Sequence, residues 1–316
     1  MRAPLVCCGL TTLDVTQTLD RLPAADEKVV ADGLDVTFGG PAANAAAVAV
    51  GLGVPTTLVT VLGTGPLADV ARAGLAAAGV AVVDLAPDAP DVLPVSTVLV
   101  TRTTGQRAVV SVNGARTPRL PAPAVDLLTD ARALLVDGHH PEAAVALARA
   151  ARAAGVPVLL DGGSWKPTTA DLLTVVDLAV LSGDFRLPAP EPGDARGPGG
   201  ALDDAALDDA AVDALLDAVA AYGPSFVARS SGAGPVRARR ALPDGGVARS
   251  VLRPAAVPPG AVVDTLGAGD VLHGAMAAAL ARGEGPSDAL AEGVRRATAS
   301  VRYAGARGWL GASPAC

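Results

Sequence analysis

Seven residues near the carboxyl end of the chain combine the two parts that phosphoryl transfer to an alcohol requires. They read Asp264-Thr265-Leu266-Gly267-Ala268-Gly269-Asp270. A short β run is predicted to end at Asp264, followed by a turn and a helix that begins near Ala268. Free amides at a helix start attract negative charge, and glycines let the backbone approach an anion closely. Asp270 would then lie in the first helical turn as a base for a hydroxyl proton.

Asp270 also has a purely structural interpretation, because carboxylates are common in the first turn of any helix. Capping alone, however, does not require glycine on both sides of Ala268. The combination of Asp270 with Gly267 and Gly269 therefore favours a base beside an anion cradle over a simple cap.

The rest of the chain must position this motif, and its apolar pattern predicts how. Hydrophobic residues make up 50% of the 316 residues and charged residues 18%, which is typical of a globular protein with a large core. Strand-like runs alternate with Ala-rich helical stretches, which predicts a parallel sheet wrapped by helices on both faces, in one large α/β domain or one with a small appendage. The predicted strands are residues 5–9, 57–61, 133–137, 156–161, 177–181 and 225–229. The predicted helices are residues 41–52, 67–78, 142–154 and 202–221.

Two segments, residues 11–37 and 95–112, depart from this alternation because they hold β-branched runs without an intervening helix. Residues 103–106 have the composition of a hairpin turn. We expect the two segments to form a small antiparallel sheet that projects from the main body as a lid. Such a sheet exposes an edge or a face, and a second subunit covering it would make a homodimer through the lid.

The composition argues against several kinds of partner. The net charge is −7 and aromatic residues make up 2%, so neither a basic face nor a stacking surface for nucleic acid is expected. The apolar stretch 42–62 is interrupted by Asn44, glycines and Pro55, so we do not expect it to cross a membrane. Adjacent Cys7 and Cys8 point to opposite faces of any strand, and no Cys-x-x-Cys pair occurs. We therefore expect reduced thiols and a cytoplasmic protein.

Two separate signatures resemble those of the ribokinase-like (PfkB) carbohydrate kinases. Residues 264–270 resemble the carboxyl-terminal signature of that family. The amino-terminal signature is matched by Gly39-Gly40-Pro41-Ala42-Ala43-Asn44, which runs into an Ala-rich helix. The two lie in the family's order and more than 200 residues apart, so together they are far more specific than either alone. The similarity of pattern extends over nearly the whole chain.

The resemblance implies a doubly wound, mainly parallel α/β fold with a β-sheet lid, in a single domain spanning residues 1–316. It implies ATP as phosphoryl donor, assisted by Mg²⁺. It also implies that Asp270 is the catalytic base and that the amides of Gly267, Ala268 and Gly269 form the anion hole for the transferred group. A monovalent cation near Asp264, as in some relatives, is left open.

The resemblance also implies a substrate site. Asp14, which follows the first strand, matches the family position that binds sugar hydroxyls from the lid. Gly39, Gly40 and Asn44 match the substrate-binding turn and the helix start. Carboxylate and amide groups suit vicinal hydroxyls, and glycines admit a ligand close to the backbone.

The sequence indicates the ATP-binding residues less clearly than the sugar-binding residues. Ser230 and Gly232 are similar to the family's Gly-containing loop beside ATP, and Ala299 lies on a predicted helix similar to the one that closes the adenine pocket. The family commonly carries Asn-x-x-Glu after the strand predicted at residues 177–181, where this chain has Ser182-Gly183-Asp184-Phe185. Because a phenylalanine occupies the position of the glutamate, the ligands of Mg²⁺ stay unknown.

Other candidate residues have a structural interpretation of equal or greater weight. Arg107, on the second lid segment, is a candidate for binding an anionic group of substrate or nucleotide, or a solvated strand residue. His139 and Lys166 follow strands at the edge where open sheets bind ligands. His273 lies three residues after Asp270 and is either near the chemistry or simply packed.

The expected function is that of an ATP-dependent kinase for a hydroxyl of a small sugar, in the manner of fructokinases, ketohexokinases and ribokinases. Nucleosides and anionic sugars carrying phosphate or sulfonate are alternative substrates. Pro41 stands where relatives often have lysine, which favours a neutral sugar, although Arg21 or Arg107 could compensate. A catalytically weak, sugar-binding regulatory protein of the same fold is the alternative from another class.

Overall fold

The computed structural model describes residues 5–102, 107–112, 114, 117, 120–121, 123–188, 207–258 and 260–312. Its strands are, in chain order, β1 Leu5–Cys8, β2 Thr12–Leu19, β3 Gly33–Gly39, β4 Thr56–Thr60, β5 Ala81–Asp84, β6 Val95–Thr101, β7 Arg107–Ser111, β8 Ala133–Val136, β9 Val158–Gly162, β10 Leu178–Leu181, β11 Phe226–Arg229, β12 Val236–Ala241 and β13 Val247–Leu252. Its helices are α1 Pro41–Gly51, α2 Pro66–Ala77, α3 Pro141–Ala153, α4 Thr169–Leu173, α5 Asp209–Ala220, α6 Ala268–Ala281 and α7 Pro286–Ser300.

The main sheet contains nine of these strands, in the order β13-β12-β11-β10-β9-β8-β1-β4-β5. The seven strands from β11 to β5 pair in parallel, and β12 and β13 form an antiparallel hairpin at one side. From β1 the chain first builds outward through β4 and β5, then crosses to the other side of β1 to form β8. The point between β1 and β8 is therefore a topological switch point, where open α/β sheets bind ligands beyond the carboxyl ends of their strands.

Helices cover both faces of the sheet because its strands are apolar on both sides. Successive side chains of a strand alternate between faces. Thus Cys7 packs in a cluster with residues of α1, α6 and α7, whereas Cys8 packs in a second cluster with residues of α3, α4 and α5. The predicted doubly wound α/β architecture is confirmed, as are opposite orientations for the two cysteines, which are free and buried.

A second sheet in the described residues has the strand order β3-β2-β6-β7 and comes from the two segments predicted as the lid. Its outer pairs, β2 with β3 and β6 with β7, are antiparallel as expected. The central pair, β2 with β6, is parallel because a long stretch of chain separates the two hairpins. The predicted turn at residues 103–106 lies outside the described residues.

The structure corrects one local prediction and adds elements that the sequence did not predict, namely β5, α4 and, as the largest of them, a hairpin. No strand forms before Asp264 in the described part of this segment. The amides of Val263 and Asp264 both donate to the carbonyl of Val301, just after α7, and not to a neighbouring strand. The added hairpin is β12–β13, which follows the predicted loop at residues 230–234. The first residues of the predicted helix 202–221 lie outside the described residues. Within the described residues this helix is α5, Asp209–Ala220.

Candidate active site

Asp270 lies at the start of α6, above the carboxyl ends of the parallel strands. Its side chain is half-buried and faces a cleft of about 920 Å³ between the main sheet and the lid sheet. The cleft is lined by residues from the lid, from the start of α1, from the α6 turn and from the segment after α7. Among these are Asp14, Gly40, Asn44, Gly267, Asp270 and Arg307. The structure therefore brings together several site residues that were predicted from distant parts of the sequence.

The turn before α6 requires glycine at its first position. Gly267 has a left-handed backbone, with φ of 75°, and a Cβ there would lie 2.4 Å from the Cβ of Ala306. A Cβ on Gly269, by contrast, would meet no atom within 4 Å. Gly267 is thus needed for the fold of the turn, and Gly269 leaves open space above it.

The amides of this turn are arranged to receive an anion. Within the described residues, the amides of Gly267 and Gly269 have no backbone acceptor, whereas the amide of Ala268 lies 3.3 Å from the carbonyl of Thr265. The helix dipole adds positive potential at this point. Of the three predicted amides, those of the two glycines are the freer to bind an oxyanion.

The side chain of Asp264 stabilises the same turn through two hydrogen bonds. One carboxylate oxygen accepts the amide of Leu266 at 2.8 Å, and the other accepts the amide of Gly305 at 2.8 Å. The Asp264 carboxylate therefore ties the α6 turn to the segment that follows α7.

The carboxyl group of Asp270 has an environment that suits a base. Burial raises its pKa to about 7, and the negative charge of Asp161 acts in the same direction. The hydrogen bond that Asn44 Nδ2 donates to Asp270 Oδ2, at 2.6 Å, partly opposes this shift. A carboxylate with a pKa near neutrality takes up a proton far more readily than an ordinary aspartate.

His273 packs beneath Asp270. Its Nδ1 lies 2.7 Å from the carbonyl oxygen of Gly269 and 3.3 Å from Asp161 Oδ2, and its Nε2 lies 3.1 Å from the carbonyl oxygen of Val180. Both ring nitrogens thus face oxygen atoms. Of the two interpretations made from the sequence, this geometry favours packing: the side chain holds the first turn of α6 against β9 and β10.

The turn into α1 is shaped around close backbone approaches. A Cβ on Gly39 would lie 1.9 Å from Asp14 Oδ2, and a Cβ on Gly40, where φ is 95°, would lie 2.4 Å from the carbonyl oxygen of Leu10. Asp137 accepts hydrogen bonds from the amides of Leu10 and Ala42 at 2.8 and 3.1 Å. The two glycines therefore make room for the Asp14 carboxylate and for the passage of the chain past β1.

The charge on Asp137 stabilises this turn. Burial opposes ionisation of the carboxyl, but the charge and hydrogen bonds of His139, together with the Leu10 amide, hold its pKa well below the usual range. His139 lines the cleft and approaches Asp137 Oδ1 through both its amide and its Nδ1, at 2.9 and 3.1 Å. Asp137 is thus a buried structural carboxylate that joins β8, β1 and α1.

The face of the lid that lines the cleft is rich in hydroxyl groups. Thr12, Asp14, Thr16 and Thr18 alternate along β2 and all line the cleft, because every second residue of a strand shares a face. Thr12 Oγ1 donates to Asp14 Oδ1 at 2.7 Å, which orients the carboxylate. This face offers hydrogen-bonding groups to a polyhydroxylated ligand.

Arg307 is the main site residue that the sequence did not predict. Its guanidinium donates to Asn44 Oδ1, to Thr37 Oγ1 at 2.7 Å and to the carbonyl of Phe38 at 2.9 Å. It also covers the ring of Phe38, with 3.8 Å between the guanidinium carbon and the ring centroid. Nothing in the local sequence distinguishes it from the other arginines near the carboxyl end; its contacts arise only when the lid and the end of the chain meet.

Arg107 approaches the α6 turn but does not line the cleft. Its Nη1 lies 3.4 Å from Thr265 Oγ1, and the side chain is exposed. The other cation suggested by the sequence, Arg21, pairs with Glu27 on the exposed part of the lid. Neither arginine supplies a buried positive charge to the cleft.

The predicted donor residues lie apart from this cleft. Ser230 and Gly232 follow β11, Ala299 is exposed on α7, and none of the three is among the residues that line the cleft. Ser230 lies beside the end of β10, where its amide donates to the carbonyl of Leu181 at 2.9 Å. A Cβ on Gly232 would meet no atom within 4 Å.

The segment that departs from the family pattern has a structural role. Phe185 is fully buried and packs edge-on against Trp165, with 6.2 Å between ring centroids. Ser182 Oγ donates to the carbonyl of Gly163 at 2.7 Å, and Asp184 is exposed. The described residues contain no group of three or more His, Cys, Asp or Glu side chains placed to hold a metal ion. Phe185 and Ser182 therefore serve packing and hydrogen bonding within the protein, and Asp184 is the exposed carboxylate of this segment.

The chain is similar to known proteins over nearly its whole length. A family model described as pfkB family carbohydrate kinase matches residues 2–310. A putative ribokinase from Agrobacterium tumefaciens has 23% sequence identity, with 98% of this chain and 94% of that chain covered and a TM-score of 0.81. No curated protein matches the sequence.

Two further solved structures share the fold at lower scores. Ribokinase from Arabidopsis thaliana, solved with ribose and ATP, has 22% identity over 96% of this chain and 94% of that chain, with a TM-score of 0.71. A microbiome-derived acarbose kinase has 21% identity over 96% and 93%, with a TM-score of 0.73. In the described part of the chain, no helix combines the length and apolar character that a membrane crossing needs.

Proposed function

The chain belongs to the pfkB family of carbohydrate kinases, and from that premise we propose that it transfers a phosphoryl group from ATP to a hydroxyl of a small, neutral sugar bound in the cleft. The observation that carries this proposal is the position of Asp270. Its carboxyl group, with a pKa raised to about 7, faces the cleft beside the free amides of the α6 turn. A base and an anion cradle at one point are the two parts that the reaction needs.

The proposed reaction is an in-line displacement. The sugar hydroxyl oxygen attacks the γ-phosphorus of ATP while its proton passes to Asp270. The bond from the γ-phosphorus to the bridging oxygen breaks, and ADP leaves with that electron pair. The amides of Gly267 and Gly269 stabilise the charge on the transferred group. Asp270 then loses its proton to water when the products leave.

The charges of the cleft favour a neutral acceptor. Asp14, Asp35, Asp264 and Asp270 line it, against the cations Arg102 and Arg307. Arg102 already pairs with two carboxylates of the lid, those of Asp20 and Asp32. An anionic sugar would meet this excess of negative charge, whereas the hydroxyls and carboxylates suit a neutral polyol.

A nucleoside acceptor is less well supported than a sugar. A base is usually held by stacking on an aromatic ring, and the aromatic side chain among the lining residues is Phe38. Its ring is already covered by the guanidinium of Arg307. The similar solved structures include both a ribokinase complexed with ribose and an acarbose kinase. Acceptors of different lengths are therefore worth testing.

The nucleotide is proposed to bind along the same edge, with Ser230, Gly232 and Ala299 on the adenosine side and the phosphates near the α6 turn. The ribokinase of Arabidopsis thaliana was solved in complex with ATP, which supports ATP as donor here. We assign no protein ligand to Mg²⁺, which can be held mainly by the phosphates of ATP and by water. Arg107 and a monovalent cation near Asp264 stay predictions.

The outer face of the lid supports the proposed homodimer. Leu34, Val36 and Val110 lie on the face opposite the cleft and are 68%, 42% and 74% exposed. An apolar sheet face of this kind is stabilised when another subunit covers it. The buried, free Cys7 and Cys8 are compatible with the cytoplasmic location that we also propose.

The test is ADP release over a panel of monosaccharides, oligosaccharides, nucleosides and sugar phosphates. We expect turnover with a neutral sugar and a fall in kcat of about 10²–10⁴-fold in Asp270→Asn, the typical contribution of a general base. The matched control is Asp288→Asn, which removes an exposed aspartate from the first turn of α7 and should leave kcat unchanged. Sugar binding without turnover on any substrate would instead favour the regulatory protein.

A further inference from the structure

Arg307 connects three parts of the molecule that are far apart in sequence. It is contributed by the segment after α7 and contacts Thr37 and Phe38 on lid strand β3. It also contacts Asn44 in the first turn of α1. Asn44 in turn reaches Asp270 in α6. The lid and the proposed base are therefore joined by a continuous chain of hydrogen bonds through one guanidinium and one amide.

We propose that Arg307 is a positioning residue that orients the Asn44 amide toward Asp270, and so determines which carboxylate oxygen is free to act as the base. This inference rests on the proposed function, because it assigns Asp270 the role of proton acceptor. It adds a residue to that function which neither of the two sequence signatures contains.

The hydrogen-bonding groups of Arg307 and Asp270 allow only one orientation of the Asn44 side-chain amide. A guanidinium has donors and no acceptor, so it must face the carbonyl oxygen of the Asn44 side chain. The amide nitrogen is then directed to Asp270, where it donates to Oδ2. If the amide turned over, two donors would face each other at Arg307 and two oxygens at Asp270. Arg307 thus excludes the reversed amide, and Oδ1 of Asp270 is left for the substrate proton.

Arg307 is itself held rigidly enough to do this. Two of its hydrogen bonds and its contact with the Phe38 ring are made to β3, at 2.7, 2.9 and 3.8 Å. These contacts use the donors on both terminal nitrogens, since Nη1 faces Asn44 and Nη2 faces the lid. Three of the five guanidinium donors are therefore engaged by Asn44, Thr37 and Phe38, which supports a positioning role for Arg307.

The charged groups around Arg307 and Asp270 determine how Arg307 affects the titration of Asp270. Burial lowers the pKa of Arg307, while the carboxylates of Asp14, Asp35 and Asp270 oppose that shift, so it keeps its positive charge. Asp270 also faces Asp161 from β9, Asp137 beside β8 and His273 from its own helix. With the acidic groups unchanged, removing Arg307 takes away a positive charge and loosens the Asn44 hydrogen bond. Both changes favour the protonated form of Asp270.

The test compares wild type with Arg307→Met, Arg307→Lys and the control Arg302→Met. Arg302 is exposed, five residues earlier in the same segment, and lies outside the cleft lining. In Arg307→Met we expect kcat for the best sugar to fall roughly tenfold to a hundredfold, as for a small displacement of a reacting group. The sugar KM should change by less than about threefold, and the acid limb of the pH–kcat profile should move to higher pH.

Arg307→Lys separates charge from geometry. Lysine retains the positive charge, so the acid limb should return most of the way to its wild-type position. A single ammonium cannot reach Asn44 and the lid together with the planar fork of arginine, so kcat should recover only in part. This variant also keeps the inference testable if Arg307→Met folds poorly, which thermal melts would reveal.

A readout independent of turnover is the ¹³Cγ NMR titration of aspartate-labelled protein, with Asp270→Asn identifying the signal of Asp270. We expect that signal to titrate at higher pH in Arg307→Met and near its wild-type pH in the other two variants. An unmoved titration, or an increase in KM with unchanged kcat, would overturn the inference. If the wild type phosphorylates nothing, the proposed function fails, and the titration still decides whether Arg307 acts on Asp270.

Discussion

The carboxyl edge of the sheet has two halves that differ in how tightly they are built. The half that we propose to bind the sugar, here the acceptor half, comprises Asp14, Asn44, Asp270 and Arg307 around the cleft. The half that we propose to bind ATP, here the donor half, comprises the ends of β10 and β11, residues 182–186 and 229–234. In the acceptor half most functional groups form a hydrogen bond with a residue of another helix, strand or loop. In the donor half Phe185 is buried and Ser182 donates a hydrogen bond to the carbonyl of Gly163, but Asp184 is exposed and Gly232 has open space around it.

This difference has a physical reason. A base must be held within a fraction of an ångström of the reacting atom, so its surroundings are crowded with hydrogen bonds and close backbone approaches. A flexible nucleotide bound by backbone and phosphate contacts tolerates a more open site. We therefore expect the chemistry to depend mainly on the acceptor half, whereas the donor half contains Ser182–Phe185, the segment that differs from the family pattern.

The largest expected effect would come from restoring the family glutamate to the donor half. Phe185→Glu places a carboxylate in a fully buried core position, and we expect it to reduce the free energy of unfolding by about 3–5 kcal/mol. Urea unfolding measures this, with Asp184→Glu on the exposed neighbouring residue as control. A stable Phe185→Glu protein with tighter metal dependence would show that the donor half is a displaced metal site.

The next largest effect is expected from alanine substitutions in the turn before α6, which test how closely that turn is packed. Gly267→Ala forces a left-handed alanine against Ala306, and we expect about 1–3 kcal/mol lost in stability with a large fall in kcat. Gly269→Ala meets open space and should fold normally. Any loss in Gly269→Ala should therefore appear in kinetics with ATP and not in thermal melts. Equal destabilisation by both substitutions would contradict the geometry of the turn.

A smaller effect is expected from pH. The folded pKa of Asp270 is raised to about 7, and the base works only when ionised. The rate should therefore rise with pH through this value and fall about tenfold for each pH unit below it. The measurement is kcat at saturating sugar and ATP from pH 5 to 9. A rate that stays constant down to pH 5 would mean that the pKa of Asp270 is not raised, or that another group is the base.

The smallest effect is expected from the donor half. Ser230→Ala removes one hydroxyl from the loop after β11, and a single hydrogen bond contributes about 0.5–1.5 kcal/mol. We expect the KM for ATP to rise about two- to tenfold with the sugar KM unchanged, and a small loss of stability because the hydroxyl also donates to the carbonyl of Leu181 at 3.3 Å. Steady-state kinetics with each substrate varied separately would measure it. A change in sugar KM alone would place Ser230 in the acceptor half.

Much of the fold could be predicted because it depends on local pattern. The strands β1, β4 and β8 to β11 and the helices α1, α2, α3 and α5 match runs of apolar residues at strand and helix spacing. The β12–β13 hairpin was missed because its strands are polar and arginine-rich on one face, at the edge of the sheet. The valines before Asp264 favour a strand, but no neighbouring strand in the described residues is there to pair with them.

The candidate site divides in the same way. Asp270 could be predicted because it lies at a helix start that follows a glycine-containing turn, whereas Asn44 and Asp14 were predicted from the resemblance to the family. Arg307 could not be predicted, since its partners Asn44 and Thr37 are 263 and 270 residues away. Ser230, Gly232 and Ala299 were predicted from resemblance alone, and their part in nucleotide binding stays a prediction.

The sequence by itself determined the amide cradle, because a Gly-containing turn and a helix start make it from consecutive residues. It also determined that an aspartate would lie beside that cradle. Only the tertiary structure decided the properties of that aspartate. Burial and the charge of Asp161 raise its pKa, and the amide of Asn44 directs one of its oxygens. Such effects depend on distances in space between groups from different elements, and those distances exist only once the sheet, the lid and the chain after α7 have packed together.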